Sequence, residues 1–272
     1  MNMKAPSISL AVLFTLTSAF AADQEKPGYK DTPMQPNGKW HVHDSDRPQP
    51  PVVKPGERYS HGAPPPADAI VLFNGKDFSK WKSGNGGEVK WKLEGDYMEV
   101  TPKSGIIRTT DEFGDFQLHL EFATPSKVEG NGQGRGNNGV NIYGLYEVQI
   151  LDSYNNPTYA DGGAGALYGQ YPPLVNSSKP PGEWQTYDII FEGPRWDESG
   201  KVTRKTSMTV IHNGCVLHHK TELFGRTGHR QFGNYDKPGK TKGPIELYEH
   251  GNPVRFRNIW IRNLGEYDKG TS

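Results

Sequence analysis

Phe116-Gln-Leu-His-Leu-Glu-Phe122 decides the fold class. Phe116, Leu118, Leu120 and Phe122 alternate with Gln117, His119 and Glu121, a period of two that sends the apolar set to one face of an extended strand and the polar set to the other. An antiparallel strand with one face on a core and one in water reads this way, so His119 and Glu121 are expected on a solvated face. Outward from this strand the pattern repeats. Residues 70–73 form an apolar run that stops at Asn74-Gly75, and runs at 89–93 and 97–100 flank the turn Glu94-Gly95-Asp96. Further strands are expected at 140–143, 146–151, 184–191, 208–212, 215–219, 245–249 and 254–264. Asn213-Gly214 suits a two-residue hairpin turn, because both residues tolerate positive φ. No segment holds a 3.6-residue apolar period through three turns, and no internal repeat is present. Short strands in series without helices predict an all-β fold of two packed antiparallel sheets.

Composition narrows the partners. The chain of 272 residues has 31 Lys and Arg against 31 Asp and Glu, so no net basic field exists to hold a nucleic acid or an anionic membrane. Mean hydropathy is −0.76, and beyond the N-terminal stretch no apolar run approaches the ~20 residues that span a bilayer, so an integral membrane protein is not expected. Cys215 is the only cysteine; the fold must be held by its core, with a packed rather than a nucleophilic role for this thiol.

Residues 1–21 carry Lys4, an apolar stretch from Ile8 to Phe20 and the small-x-small signature Ala19-Phe20-Ala21, the pattern of a cleaved signal peptide. A periplasmic or secreted location follows as an expectation. Residues 22–66 hold ten of the 22 prolines and read as an extended arm or linker ahead of a domain at 67–266. His41 and His43 fall on one side of it, solvated and without a third ligand nearby. Lacking an apolar face, the arm is expected to be dispensable for chemistry.

Three segments bear on chemistry. Gly130-Asn-Gly-Gln-Gly-Arg-Gly136 has the glycines of a phosphate cradle but runs into a strand rather than a helix, so a loop over a groove is expected and a nucleotide cofactor is not. In Tyr146-Glu-Val-Gln-Ile-Leu-Asp152, alternation projects Glu147 and Gln149 together from a strand whose other face, Tyr146, Val148 and Ile150, is apolar. The spacing E-x-Q-x-x-D resembles the E-x-D-x-x-E catalytic strand of laminarinase-type jelly-roll glycosidases, but Gln149 is an amide, which speaks against a retaining double displacement. In Gly243-Pro-Ile-Glu-Leu-Tyr-Glu-His-Gly251, Glu246, Tyr248 and His250 share a face, with His250 at the expected strand end, where a general base or metal ligand is useful. Tyr168, Tyr171 and Trp184 are candidates for stacking on sugar faces, although aromatics are more often core material.

Several ordered motifs are similar to those of the 3-keto-disaccharide hydrolase family. They are Leu72-Phe-Asn-Gly-Lys-Asp-Phe-Ser-Lys-Trp81, the 146–152 strand, Gly165-Ala-Leu-Tyr168, Pro172-Pro-Leu-Val-Asn176, Pro181-Gly-Glu-Trp-Gln-Thr-Tyr-Asp188 and His250-Gly-Asn-Pro-Val-Arg-Phe-Arg-Asn-Ile-Trp-Ile-Arg262. The resemblance runs from about Ala69 to Leu264. It implies a concanavalin-like jelly roll, export, and cleavage of the glycosidic bond of 3-keto-glycosides, by hydrolysis or by 1,2-elimination and hydration of the glycal.

Such chemistry needs a base near C2, donors or a cation for the enolate oxygen, and an acid for the leaving oxygen. His250, Glu147 and Asp152 are the expected acid/base groups, and the same three are the candidate ligands if a divalent metal ion takes part. Gln149, Asn141, Tyr168 and Trp184 are expected to bind substrate, and Arg257 to face the enolate. The competing reading is a noncatalytic carbohydrate-binding module on the same fold, which would need aromatics and amides but no titratable cluster. All four carriers Glu147, Gln149, Asp152 and His250 are expected to converge on one face.

Overall fold

The computed structural model describes residues 26–265, so the signal-peptide pattern and the first residues of the arm lie outside the described residues. The first strands in chain order are β1 (Ile70–Phe73), β2 (Trp81–Ser83), β3 (Lys92–Glu94), β4 (Tyr97–Glu99) and β5 (Ile107–Thr109). They are followed by β6 (Phe116–Ala123), β7 (Asn138–Ile142), β8 (Tyr146–Ile150), β9 (Gln185–Glu192) and β10 (Arg195–Trp196). The last five are β11 (Val202–Arg204), β12 (Ser207–His212), β13 (Cys215–Glu222), β14 (Ile245–Leu247) and β15 (Arg255–Asn263).

One sheet runs β13-β12-β9-β6-β15-β4-β3, with β1 also on β15, and the other runs β2-β5-β14-β7-β8; β10 and β11 form a separate ribbon. All pairings within both sheets are antiparallel. The fold is the all-β jelly-roll sandwich expected. Its core lies between the sheets, where Phe116, Leu118, Leu120 and Phe122 of β6 meet Val140, Ile142, Val148 and Ile150 of β7 and β8. Asn213 and Gly214, at φ 49° and 85°, make the hairpin between β12 and β13.

Two expectations fail here, for one reason. His119 and Glu121 are buried instead of solvated, because the arm crosses the outer face of the larger sheet. Ser60 Oγ donates to Asp188 Oδ2 (2.8 Å) and the Gly62 amide donates to Glu121 Oε1 (2.6 Å). Earlier residues of the arm are also docked: Val42 and His43 are fully buried, and residues 51–53 exchange backbone bonds with Asn176. Proline density predicted an extended chain without its own core, and that chain borrows the domain's surface.

Candidate functional site

The outer face of the smaller sheet carries a polar row one residue wide. Lys82, Arg108, Glu246, Asn141 and Glu147 are successive cross-strand partners on β2, β5, β14, β7 and β8. Cross-strand neighbours stand about 5 Å apart, so the row fixes which groups can act together. Gln149 lies opposite Gly139 in the next row, and the Tyr248 amide donates to Gly139 O (3.1 Å), extending the ladder past β14.

β8 is an edge strand, and loops close it. Residues 165–168 run beside it, with the Tyr168 amide on Glu147 O (3.2 Å), while Thr227 accepts from the Glu147 amide (3.0 Å) and anchors the 226–229 loop. These loops, together with Gln133 and Asn137 from the glycine-rich segment, enclose a cavity of about 420 Å³ lined by Asn141, Glu147, Gln149, Tyr168, Arg226, His229, Tyr248 and His250.

Glu147 is the carboxylate on this lining and is 8% exposed. Burial alone pushes its carboxyl up to about 8, because among the described residues no cation or donor bonds to it to offset the desolvation of the charged form. Two acceptors beside it are in the same condition: Asn141 Oδ1 and Gln149 Oε1 are buried without a partner. Their amide nitrogens are engaged. Gln149 Nε2 donates to Gln133 Oε1 and Asn137 Oδ1 (both 3.2 Å), and Asn141 Nδ2 donates to the Tyr248 hydroxyl. Tyr248 therefore keeps its own proton for a ligand, and burial, with the charges of Glu147 and Glu246, raises its pKa so that it stays a neutral donor. Unpartnered buried acceptors are costly, which makes this lining complementary to a molecule bearing several hydroxyl groups.

Tyr168 bonds to Tyr159 Oη (2.7 Å) and to His229 Nδ1 (3.2 Å) at the opposite wall. Partial burial lowers the His250 pKa, the nearby Glu249 opposing; its ring stands edge-on to Tyr248 at 5.9 Å between centroids, at the exposed mouth.

Glu147, Gln149, Asn141, Tyr168 and His250 thus share one cavity, as expected. Three other candidates do not. Asp152 lies two residues past β8 and accepts from Arg135 Nε (2.7 Å) beside a separate cavity of about 260 Å³. Its charge is already matched, so it neither joins Glu147 in acid/base work nor completes a ligand trio with Glu147 and His250. Among the described residues no cluster of three or more His, Cys, Asp and Glu is placed to hold a metal ion. Arg257 and Trp184 belong to the other sheet: Arg257 Nε donates to Glu121 Oε2 (2.9 Å), and the guanidinium stacks on Trp184 at 4.1 Å. Residue type makes Trp184 a candidate for stacking on a sugar and Arg257 a candidate for facing the enolate, but it says nothing about which sheet receives them. The strand expected over 245–249, with His250 at its end, stops at Leu247, leaving His250 in the following loop.

Sequence reasoning assigned no role to Tyr248, although its place on the Glu246 and His250 face was legible. Arg226, Thr227 and His229 carried no signal, since an irregular loop has no period to read.

The sequence model of the family described as 3-keto-alpha-glucoside-1,2-lyase-like domain matches residues 68–262. A candidate glycosyl hydrolase from Parabacteroides distasonis is 45% identical, with 80% of this chain and 93% of that one covered at a TM-score of 0.72. Two further candidate glycosyl hydrolases from that organism share the fold, at 22% identity (73% and 94% covered, TM-score 0.52) and 24% identity (72% and 99% covered, TM-score 0.53). No curated protein matches the chain.

Proposed function

We propose, for a chain that belongs to the 3-keto-alpha-glucoside-1,2-lyase-like domain family, that the Glu147 cavity cleaves the glycosidic bond of 3-keto-glycosides by 1,2-elimination followed by hydration. The observation that carries this reading is the buried Glu147 carboxylate, unpartnered and held near pH 8. It stands beside acceptors that want hydroxyl protons. A group with a pKa close to the working pH is suited to take and return a proton.

A ketone at C3 acidifies the C2 hydrogen. Glu147 removes that proton, the C–H electron pair passes into the C2–C3 bond, and charge collects on the C3 oxygen, where the Tyr248 hydroxyl is available to donate. Collapse of this enolate expels the C1 oxygen and leaves a C1=C2 double bond. The departing oxygen receives a proton at the cavity mouth, where His250 stands and an aglycone can extend into solvent. Water then adds at C1 while C2 regains a proton. Asn141 Oδ1 and Gln149 Oε1 accept from sugar hydroxyls and fix the ring.

An unmodified glycoside lacks the acidic C2 hydrogen, and a double displacement would need a second carboxylate where Gln149 stands. Export through the 1–21 pattern belongs to the same proposal and is supported by the sequence alone. The test is turnover of a 3-keto-glucoside against its unoxidised parent by the purified protein. Cleavage of the keto sugar alone is expected. Cleavage of the parent at equal rate would overturn the reading, and tight binding without turnover would return the protein to the carbohydrate-binding modules.

A further inference from the structure

The arm does more than cross the surface. Asp161 is wholly buried; Oδ1 accepts from His43 Nδ1 (2.9 Å), Oδ2 from the His43 amide (3.0 Å), and Arg47 stands 3.4 Å from Oδ2. Gln35 Nε2 donates to the carbonyls of Gly169 and Gln170 (2.9 and 3.0 Å). The arm therefore grips the chain on both sides of Tyr168.

Between these grips lies the His43 ring. Its centroid is 4.0 Å from Tyr159, 4.8 Å from Tyr168 and 5.4 Å from His229, the last two being cavity-lining residues. His43 adopts φ 56°, a left-handed conformation uncommon for residues other than glycine, and its Nε2 is buried with no partner. Both features are unfavourable to stability, and strain of this kind persists where the surroundings over-determine it, commonly at functional sites.

We propose that the arm buttresses one wall of the reacting cavity from behind and that His43, fixed by Asp161, is the positioning residue that holds the lining residues Tyr168 and His229 in their hydrogen-bonded arrangement. The proposal rests on the preceding reading of that cavity as the place of reaction. Without the ring, the Tyr168 and His229 side chains lose the surface that touches them both, Tyr29 remaining against His229 and Tyr159 against Tyr168, and the 3.2 Å bond between them loses its register.

The test uses the full chain with His43→Asn. Asparagine tolerates the left-handed backbone and keeps an amide donor toward Asp161, so the arm stays docked while the ring is removed. Two quantities are read: the imidazole nitrogen resonances of His229, assigned through His229→Gln, and kcat and KM on a 3-keto-glucoside. We expect the His229 resonances to move and kcat to fall roughly 100-fold with a smaller change in KM, as a misplaced wall would give. Ser60→Ala, an arm contact on the opposite sheet, should leave both readings as in the wild type.

Unmoved His229 resonances together with kcat within about twofold of wild type would overturn the proposal. If the protein turns over no 3-keto-glycoside at all, the preceding reading fails and the nitrogen resonances alone decide the role of His43. Should His43→Asn not fold, Asp161→Ala, which removes both acceptors that fix His43, is read by the same two measurements and the same outcomes.

Discussion

The Glu147 carboxylate occupies the space left by the missing side chain of Gly139: a β-carbon at 139 would stand 2.3 Å from Glu147 Oε1 and 3.0 Å from its carboxyl carbon. The two residues are diagonal neighbours on paired strands, two positions out of register, and no positive φ is involved; the glycine is required for room. Gly139→Ala should therefore push the carboxylate aside while leaving the sheet paired. The expected outcome is a loss of kcat of about 100-fold, the scale set by an ångström of misplacement, with a thermal midpoint within a few degrees of wild type. Steady-state kinetics and calorimetry on the same preparation check it.

Glu147 should also leave a mark on stability. Its folded pKa of about 8 stands above the usual 4.5 because burial disfavours the charged form. Between those values the folded state retains a proton that the unfolded chain releases, so this group makes stability fall as pH rises from about 4.5 to about 8. Glu147→Gln removes the slope. Its free energy of unfolding should match wild type near pH 4.5 and exceed it at pH 9 by an amount on the order of a few kcal/mol, with the midpoint moving in the same sense. Thermal melts across that range test the sign, and a midpoint lower than wild type at pH 9 would refute the assignment.

The sheets and the cavity were legible to different depths. Alternation in 116–122 and 146–150 located β6 and β8 and sent Glu147 and Gln149 to the same face, because a period of two is a local property of extended backbone. Asp152 fell outside that logic: the strand ends at Ile150, so counting onward from Glu147 no longer predicts direction. Arg257 and Trp184 show a second limit, since sequence does not say which of two sheets receives a strand. The arm shows a third. Its partners Asp161, Gln170 and Glu121 are 59 to 135 residues away in sequence, and no local pattern in a proline-rich stretch announces them.

On the outer face of the larger sheet the arm seals a charged network with a pH window of its own. Desolvation opposes the ionised form of Glu121, but bonds from His119, the Gly62 amide, Asn258 and Arg257 outweigh it and hold the carboxyl at about 2. Desolvation likewise opposes protonated His119, yet Asp188 (2.8 Å) and Glu121 raise its pKa overall. The Glu121 contribution is present above about 4.5 and is lost as pH falls toward about 2; the His119 contribution is present below 6.5 and is lost as pH rises through its raised value. Both are in force between about 4.5 and 6.5. Glu121→Gln leaves Arg257 and His119 without their carboxylate and should cost about 3–5 kcal/mol at pH 6. Its cost should shrink near pH 2, and proteolysis within residues 57–63 should become faster.

The reaction type is decided by isotopes at C2. If Glu147 removes the C2 proton in the slow step, a substrate deuterated at C2 reacts more slowly, and the product acquires solvent hydrogen at C2 because hydration protonates that carbon separately. Direct hydrolysis does neither. With a leaving group that departs without help, the kcat/KM profile should rise with pH toward a limb near 8, since the base must be ionised in the free enzyme; an acid role for His250, whose pKa burial lowers, would add a falling limb on the acid side of that rise. Glu147→Gln should abolish turnover. The rim position of His250 predicts a different pattern: if it protonates the departing oxygen, His250→Ala should be severe with an alkyl aglycone and mild with a nitrophenyl aglycone, which leaves without help. Equal losses with both leaving groups would remove His250 from the acid role. Turnover of 3-keto-glucosides with no C2 isotope effect and no solvent exchange, measured where chemistry limits the rate, would sink elimination, and Glu147 would then have to act on water rather than on carbon.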